Sequence, residues 1–170
     1  MAEIIDPHPA TLPLDDLLRQ CKSRRQRRSG PGGQHRNKVE TAVVYTHMPT
    51  GVSAMASERR EQEENRKQAL FRLRVRLALE VRCAARGSLS ACWHQRVKAQ
   101  RLTISKHHND FPVMLSEALD YIIQEQGEVQ GFADLVGCSK SQLVKFFKLD
   151  PSALQCVNDF RAQHGHHALR

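Results

Sequence analysis

Hydrophobic and polar positions in the first third of the chain predict a small sheet. Thr41 to His47 is β-branched and aromatic, which predicts a strand. Residues 48–51 have Pro and Gly where a tight turn needs them, and Val52 to Ala56 predicts the second strand of a hairpin. Ahead of the hairpin, an apolar face over Leu12 to Cys21, with Pro13 in the first turn, predicts a short amphipathic helix.

A long helix is predicted after the hairpin. Ser57 is suited to be its N-cap, apolar residues keep helical spacing as far as Ala84, and Gly87 ends it. The basic residues 88–109 predict a solvated linker with a short strand at Arg101–Ser105. Beyond Pro112, apolar spacing predicts four short helices, around Leu115–Ile123, Phe132–Leu135, Ser141–Phe147 and Ser152–Gln163.

These elements predict an α+β fold. A small mixed or antiparallel sheet would pack against the long helix and expose a glycine-rich loop, and a small helical C-terminal region would follow. The 170 residues are enough for one core, or for one core with a small helical annex. We expect a first domain over residues 1–87, a basic linker over 88–111 and a helical region over 112–170.

The positive charge is concentrated in the first two thirds of the chain. The net charge is +8, but residues 1–109 hold 21 lysines and arginines against 10 acids, whereas residues 110–170 hold 5 against 8. Such asymmetry is typical of a nucleic-acid-facing part joined to a separate packing part. A basic chain without a nucleic-acid role remains the alternative at this point.

Cysteine spacing and the remaining composition narrow the class of protein further. The five cysteines are widely spaced, with no CxxC pair and no zinc-type spacing, which predicts reduced, mostly structural thiols and no metal site. The acidic N-terminus does not resemble a secretory signal or a transit peptide, and no apolar run is long enough to span a membrane. We therefore expect a soluble cytoplasmic protein without a cofactor.

The loop Ser29-Gly-Pro-Gly-Gly-Gln-His35 has the most specific chemistry. Its glycines tolerate φ > 0 and leave backbone N–H groups unscreened, so the loop can enter a narrow site and direct donors at a developing oxyanion. A solvated glycine-rich turn between two strands is the structural alternative. A nucleotide-binding phosphate loop fits less well, because no Gly-Lys-Ser or Gly-Lys-Thr follows. Cations flank the loop on both sides, namely Arg24, Arg25, Arg27, Arg28, Arg36 and Lys38.

Three ordered motifs resemble a known family. They are the run Ser29 to Val43 with Gly-Gly-Gln at its centre, then Thr46 to Val52, then Ser57 to Ala69. Together they resemble the GGQ domain of bacterial class I peptide chain release factors and of the short ribosome-rescue hydrolases, over roughly residues 12–86. The sequence departs from the family at Glu61, where a small polar residue usually precedes the Gln.

The resemblance implies a catalytic role for Gly32, Gly33 and Gln34. In the family this tip lies in the ribosomal peptidyl-transferase centre, beside P-site peptidyl-tRNA, and the ester is hydrolysed there. The Gln side-chain amide is also a methylation target, so Gln34 is a candidate modification site and a glutamine methyltransferase a candidate partner. A neutral amide cannot act as a general base near pH 7, so Gln34 would contribute a backbone donor and a side chain that selects water.

Other polar residues near the tip are assigned to RNA contact or to packing. We expect RNA contacts from His35 and Arg66 together with the six flanking cations. A general-base role for His35 is the less favoured alternative. His47 is expected to pack at the strand end or in the turn, and a solvated or intrahelical pair with Glu63 or Glu64 is an open alternative for Arg66.

Stop-codon recognition is not expected. Pro9-Ala10-Thr11 matches the family's codon-reading tripeptide by letters, but it lies in an N-terminal segment that does not provide a recognition domain. Rescue hydrolases of the family continue into a basic tail. Here the last sixty residues are net acidic and apolar-patterned, and the stretch Arg96 to His108 is the nearest equivalent.

We therefore expect a peptidyl-tRNA hydrolase, acting with rRNA and P-site peptidyl-tRNA in translation termination or ribosome rescue, without its own codon recognition. The first alternative is a non-catalytic ribosome- or RNA-binding protein derived from a release factor. The second is a DNA-binding regulator, because Phe132 to Lys145 has helix-turn-helix spacing, with Gly137 at the turn and Ser139 or Ser141 capping the next helix. DNA binding is the less favoured of the two, given the net negative charge of that region.

Overall fold

A computed structural model describes residues 7–26, 42–83 and 89–170, and the fold is α+β as predicted. The chain enters through a 3-10 turn at Pro9–Thr11 and a short helix α1, Leu14–Arg19. The predicted helix over Leu12 to Cys21 is therefore too long at both ends. Cys21 already belongs to a strand, because Gln20 leaves the helix and its backbone carbonyl accepts a hydrogen bond from Met48 N–H.

A three-stranded antiparallel sheet follows, in the order β1-β2-β3. Its strands are β1 Cys21–Gln26, β2 Ala42–His47 and β3 Ser53–Ala56. The hairpin β2–β3 confirms the predicted strands and turn. β1 was not predicted, because as an exposed edge strand it has the sequence of a basic run and no apolar alternation.

The long helix α2, Gln62–Glu80, covers one face of the sheet. It begins later than Ser57, because the buried side chain of Asn65 both accepts from Arg59 N–H (2.9 Å) and donates to Arg59 C=O (3.0 Å). This pair of bonds holds residues 57–61 in a turn outside the helix. α2 also ends before Gly87: Val81 is extended, and the Arg82 guanidinium donates to the free carbonyls of Ala78 and Leu79.

The C-terminal half is helical and begins earlier than predicted. Residues 89–111, expected to be mostly solvated linker, contain a short helix α3, with a fully buried Trp93, and a two-stranded ribbon β4–β5. The predicted strand at Arg101–Ser105 is thus present only at Arg101–Leu102. The elements are α3 Cys92–Arg96, β4 Val97–Lys98, β5 Arg101–Leu102, α4 Phe111–Gln124, α5 Gln130–Val136, α6 Lys140–Phe147 and α7 Pro151–Gln163.

One apolar core joins the two halves of the chain. α4 packs against α2, and buried residues of the sheet, α2 and α4–α7 form a single cluster that includes Leu73, Leu119 and Phe147. We keep the division at residues 87 and 111 as a proposal. Among the described helices none is both long and apolar enough to cross a membrane. All five cysteines are free thiols, and burial raises the pKa of Cys21 to about 11.

Candidate functional site

The candidate catalytic loop connects two neighbouring strands. Gln26 ends β1 and is paired in register with Ala42, the first residue of β2, so the chain leaves and re-enters the sheet at facing positions. Gly32, Gly33 and Gln34 belong to this connection, residues 27–41, and lie outside the described residues. The sheet therefore gives the connection two anchored ends on rigid strands.

Arg24 and Arg25 stand at the end of β1, next to this connection, and both are exposed. Arg25 pairs with Val43 and Arg24 with Val44, so the two side chains project from opposite faces of the sheet. A cation therefore lies on each face where the connection begins. The other predicted RNA-binding residues of this segment lie outside the described part of the chain: Arg27, Arg28, His35, Arg36 and Lys38.

Arg66 lies at the same end of the domain, near the start of α2. Its Nε donates to the Tyr45 hydroxyl over 3.4 Å, and its NH1 is 3.7 Å from the Glu63 carboxylate, which confirms the intrahelical pair. Tyr45 is buried on the α2 face of the sheet, two residues along β2 from Val43, the partner of Arg25. Since the Arg66 side chain stays about half exposed (49%), its guanidinium remains accessible beside the hairpin.

His47 holds the opposite end of the hairpin. The ring is fully buried; its Nε2 donates to Gln20 Oε1 (2.9 Å) and its Nδ1 accepts from the Thr50 hydroxyl (2.8 Å). Desolvation lowers the pKa of His47, so the ring is neutral near pH 7. The predicted packing role at the strand end is confirmed.

The tripeptide Pro9-Ala10-Thr11 is a packing element in this fold. Ala10 is fully buried, and its carbonyl accepts two hydrogen bonds from the Arg74 guanidinium, at 2.9 and 3.3 Å. Just ahead of it, the buried His8 accepts from Ala10 N–H and donates to Val81 C=O. The tripeptide thus packs against α2 and α4, with Pro9 and Ala10 buried.

Most arginines of α2 are used inside the fold. Arg72 binds Met55 C=O and the Glu58 carboxylate, and Arg76 binds Glu80 and Ser53 C=O. With Arg74 and Arg82 already engaged, Arg66 is the helix arginine whose described contacts leave it freest to meet RNA. Sequence reasoning missed the positioning roles of Asn65 and Gln20, because a polar side chain that binds a neighbouring turn has no periodic signature.

Metal chemistry has no candidate centre in the part of the chain that the structure describes. Within residues 7–26, 42–83 and 89–170, no group of three or more His, Cys, Asp or Glu side chains could hold an ion. The candidate site consists of the cationic end of the β1–β2 hairpin and the glycine-rich connection that joins these strands.

Comparison with known proteins identifies the family of the chain. Residues 18–109 match the family model described as the RF-1 domain, and the chain belongs to that family. It is 48% identical over 65 residues to "Peptide chain release factor 1" of Acidiphilium cryptum (strain JF-5), covering 38% of this chain and 18% of that protein. It is 40% identical over 80 residues to "Peptide chain release factor PrfB1, chloroplastic" of Arabidopsis thaliana (42% and 18%).

A third relative is "Peptide chain release factor 2" of Phenylobacterium zucineum (strain HLK1), 48% identical over 66 residues, covering 37% of this chain and 18% of that protein. The chain thus spans less than a fifth of the length of these relatives. The shared part includes the hairpin, its connection and α2, whereas α4–α7 lie beyond residue 109, outside the family match.

Proposed function

We propose that this protein hydrolyses the ester of peptidyl-tRNA in the ribosomal peptidyl-transferase centre, without reading a stop codon itself. One observation carries the proposal: in a chain of the RF-1 domain family, Gly32-Gly33-Gln34 lie on a connection whose two ends are paired strands, Gln26 facing Ala42. A loop anchored in this way can be inserted into a deep site while the sheet stays outside.

The chemistry assigned to the loop is electrostatic. Water attacks the ester carbonyl carbon, the new C–O bond forms as the bond to the tRNA ribose oxygen breaks, and the ribose oxygen takes up a proton. Negative charge grows on the carbonyl oxygen and on the leaving oxygen. The backbone N–H of Gln34 stabilises it, and the side chain admits water and excludes larger nucleophiles; one such donor contributes about 10²–10³ in rate. RNA hydroxyls and solvent transfer the protons.

Arg24, Arg25 and Arg66 fit contacts with rRNA phosphates. Arg24 and Arg25 project from the two faces of the β1–β2 hairpin end, Arg66 lies beside it on α2, and all three side chains are exposed. Phosphate contacts position a protein without selecting a base sequence, which suits a loop that must enter one fixed site. Arg27, Arg28, His35, Arg36 and Lys38 are proposed to extend the same contact along the connection.

The burial of Pro9 and Ala10 supports codon independence. A tripeptide whose central residue is fully buried and whose carbonyl is bound by Arg74 cannot reach a codon without opening the α2–α4 packing. We propose action in the cytoplasm, with the ribosome and P-site peptidyl-tRNA as partners, a glutamine methyltransferase acting on Gln34, and no cofactor.

Single-turnover peptide release from purified ribosomes tests hydrolysis. The wild-type chain should release peptide, and Gly33→Ala and Gln34→Pro, which removes the backbone N–H donor, should lower the rate at least about 100-fold. Gln163→Ala, an exposed glutamine at the end of α7, is the matched control and should leave the rate unchanged. If the wild-type chain sediments with ribosomes and releases nothing, it is the non-catalytic ribosome-binding protein instead.

A further inference from the structure

The cations of the C-terminal region are all in one place. Residues 110–170 contain five lysines and arginines, and all five line a single cleft of about 790 Å³ between α6 and residues 165–170. The one carboxylate side chain in the lining is Glu128. The six residues are Lys140, Lys145, Lys148, Arg161, Arg170 and Glu128.

Three of the eight acids in residues 110–170 are bound to residues outside this region. Asp110 binds Arg96 through two hydrogen bonds of 2.8 and 3.0 Å, and Asp120 lies 3.4 Å from Arg82. Glu117 accepts from Trp93 Nε1 at 2.7 Å. These carboxylates face α3 and the end of α2, so the net charge of −3 gives the wrong sign for the cleft.

Helix α6 has one buried side and one cationic side. Leu143, Phe146 and Phe147 are buried in the core, whereas Lys140, Lys145 and Lys148 are exposed. Among the described residues, none of the three lysines forms an ion pair within 4 Å. Their charges are therefore available to a partner.

The scaffold of the cleft is fixed. Gly137 takes the left-handed conformation (φ 74°) between α5 and α6, and the Ser139 hydroxyl caps α6 by accepting from Gln142 N–H, which confirms the predicted helix-turn-helix spacing. Arg161 is buried, with its guanidinium bound to Gly127 C=O and His167 C=O. Arg161 thereby ties α7 to the chain segments on both sides of the cleft.

We infer that this cleft binds the phosphate backbone of a double-stranded segment of ribosomal RNA. Lysines are flexible point charges suited to phosphates, and Lys140 to Lys148 span about 12 Å of helix, enough to follow more than one phosphate. The rings in the lining are the imidazoles of His166 and His167; it contains no Phe, Tyr or Trp ring, which would give an unpaired base a larger stacking surface. The choice of ribosomal RNA rests on the proposed function.

Binding of the full chain to a blunt RNA duplex of about 16 base pairs tests the inference. Lys145→Gln/Lys148→Gln removes two positive charges from the cleft. Ser152→Asp/Gln163→Glu changes the net charge equally on the opposite side of α7, away from the cleft. The first variant should bind about tenfold more weakly at low salt, and the slope of log K against log salt should fall by about two. The control should stay within about twofold of the wild type.

Several results would overturn the inference. Equal weakening of RNA binding by both variants would show only the effect of net charge. If Lys145→Gln/Lys148→Gln lost affinity for a DNA duplex of the same sequence but not for the RNA duplex, the cleft would be assigned to DNA. Peptide release separates this inference from the proposed function. The Lys145→Gln/Lys148→Gln variant should need more protein for half-maximal release and reach the wild-type rate at saturation, whereas failure of the proposed function removes release from the wild type.

Discussion

His47 and Gln20 join the base of the β1–β2 hairpin, with His47 Nε2 donating to Gln20 Oε1 over 2.9 Å. The bond lies at the end of the hairpin opposite the connection that contains Gly32, Gly33 and Gln34, because Cys21 pairs with His47 and Gln26 with Ala42. A partly buried polar contact therefore fixes the edge strand β1, which has little apolar packing of its own.

Replacing Gln20 should destabilise the fold. Gln20→Ala leaves a ring N–H of the buried His47 without its protein acceptor, and we expect a loss of about 1 kcal/mol in the free energy of unfolding. Urea denaturation followed by circular dichroism measures it. Arg19→Ala, which removes only an exposed pair with Asp16, should cost less than about 0.5 kcal/mol. Equal losses in both variants would remove the role given to the His47–Gln20 bond.

His8 should make stability depend on pH. Burial lowers the pKa of His8 to about 4 from 6.5, so below pH 6.5 the unfolded chain binds a proton that the folded chain does not. The contribution of His8 to the free energy of unfolding is fully present above pH 6.5. It decreases as the pH falls to about 4, by up to about 3 kcal/mol. Asp120 has the opposite effect on the pH dependence of stability. Burial raises its pKa to about 6, so folding favours its protonated form, and this contribution is present at low pH and is lost as the pH rises.

Comparing the wild type with His8→Gln isolates the first effect, because Asp120 is present in both. The stability difference between them should shrink by up to about 3 kcal/mol between pH 7 and pH 4, measured by urea denaturation at each pH. A difference that stays constant over this range would show that His8 is not held neutral in the folded protein.

Trp93 should report the unfolding of the whole chain. It is the single tryptophan, it is fully buried, and its ring meets Phe132 edge-on at 5.1 Å, in the same apolar cluster as the core of α2 and the sheet. Tryptophan fluorescence and far-UV circular dichroism should therefore give coincident urea transitions. A fluorescence transition at clearly lower urea would mean that the helical region unfolds separately from the RF-1 domain core.

The turn of the β4–β5 ribbon should gain stability from a glycine. Ala99 has φ 47°, a left-handed conformation that costs a residue with a Cβ about 1–2 kcal/mol. We expect Ala99→Gly to raise the free energy of unfolding by about 0.5–1 kcal/mol after the entropy of the glycine is counted. Ala162→Gly, at an exposed position of helix α7, should lower it by about 1 kcal/mol. If both variants lost a similar amount of the free energy of unfolding, the left-handed conformation of Ala99 would be contradicted.

Periodic patterns predicted the elements whose residues alternate between core and solvent. The β2–β3 hairpin, α2 and the C-terminal helices all follow their apolar spacing, and Gly137 stands at the predicted turn. The patterns did not predict helix ends that are determined by side-chain hydrogen bonds. Asn65 delays the start of α2 and Arg82 caps its end, and neither effect leaves a period in the sequence.

The family motif and the flanking cations of the candidate site could be found from the sequence, because they are contiguous along the chain. The cleft of Lys140, Lys145, Lys148 and Arg161 could not. A net charge taken over residues 110–170 hides it, because carboxylates such as Asp110 and Asp120 are paired with arginines outside that segment. In the folded protein, the cations of the cleft lie apart from these carboxylates.

Hydrolysis without codon recognition can be measured as peptide release from ribosomes that carry different mRNAs. The wild-type chain and Gln34→Pro, which lacks the backbone N–H donor, would be compared on complexes with P-site peptidyl-tRNA. The mRNA would be truncated after the P-site codon, continue with a sense codon, or place a stop codon in the A site. We expect Gln34-dependent release that a stop codon does not accelerate. Release that requires the stop codon, or that is unchanged in Gln34→Pro, would contradict hydrolysis by this loop without codon recognition.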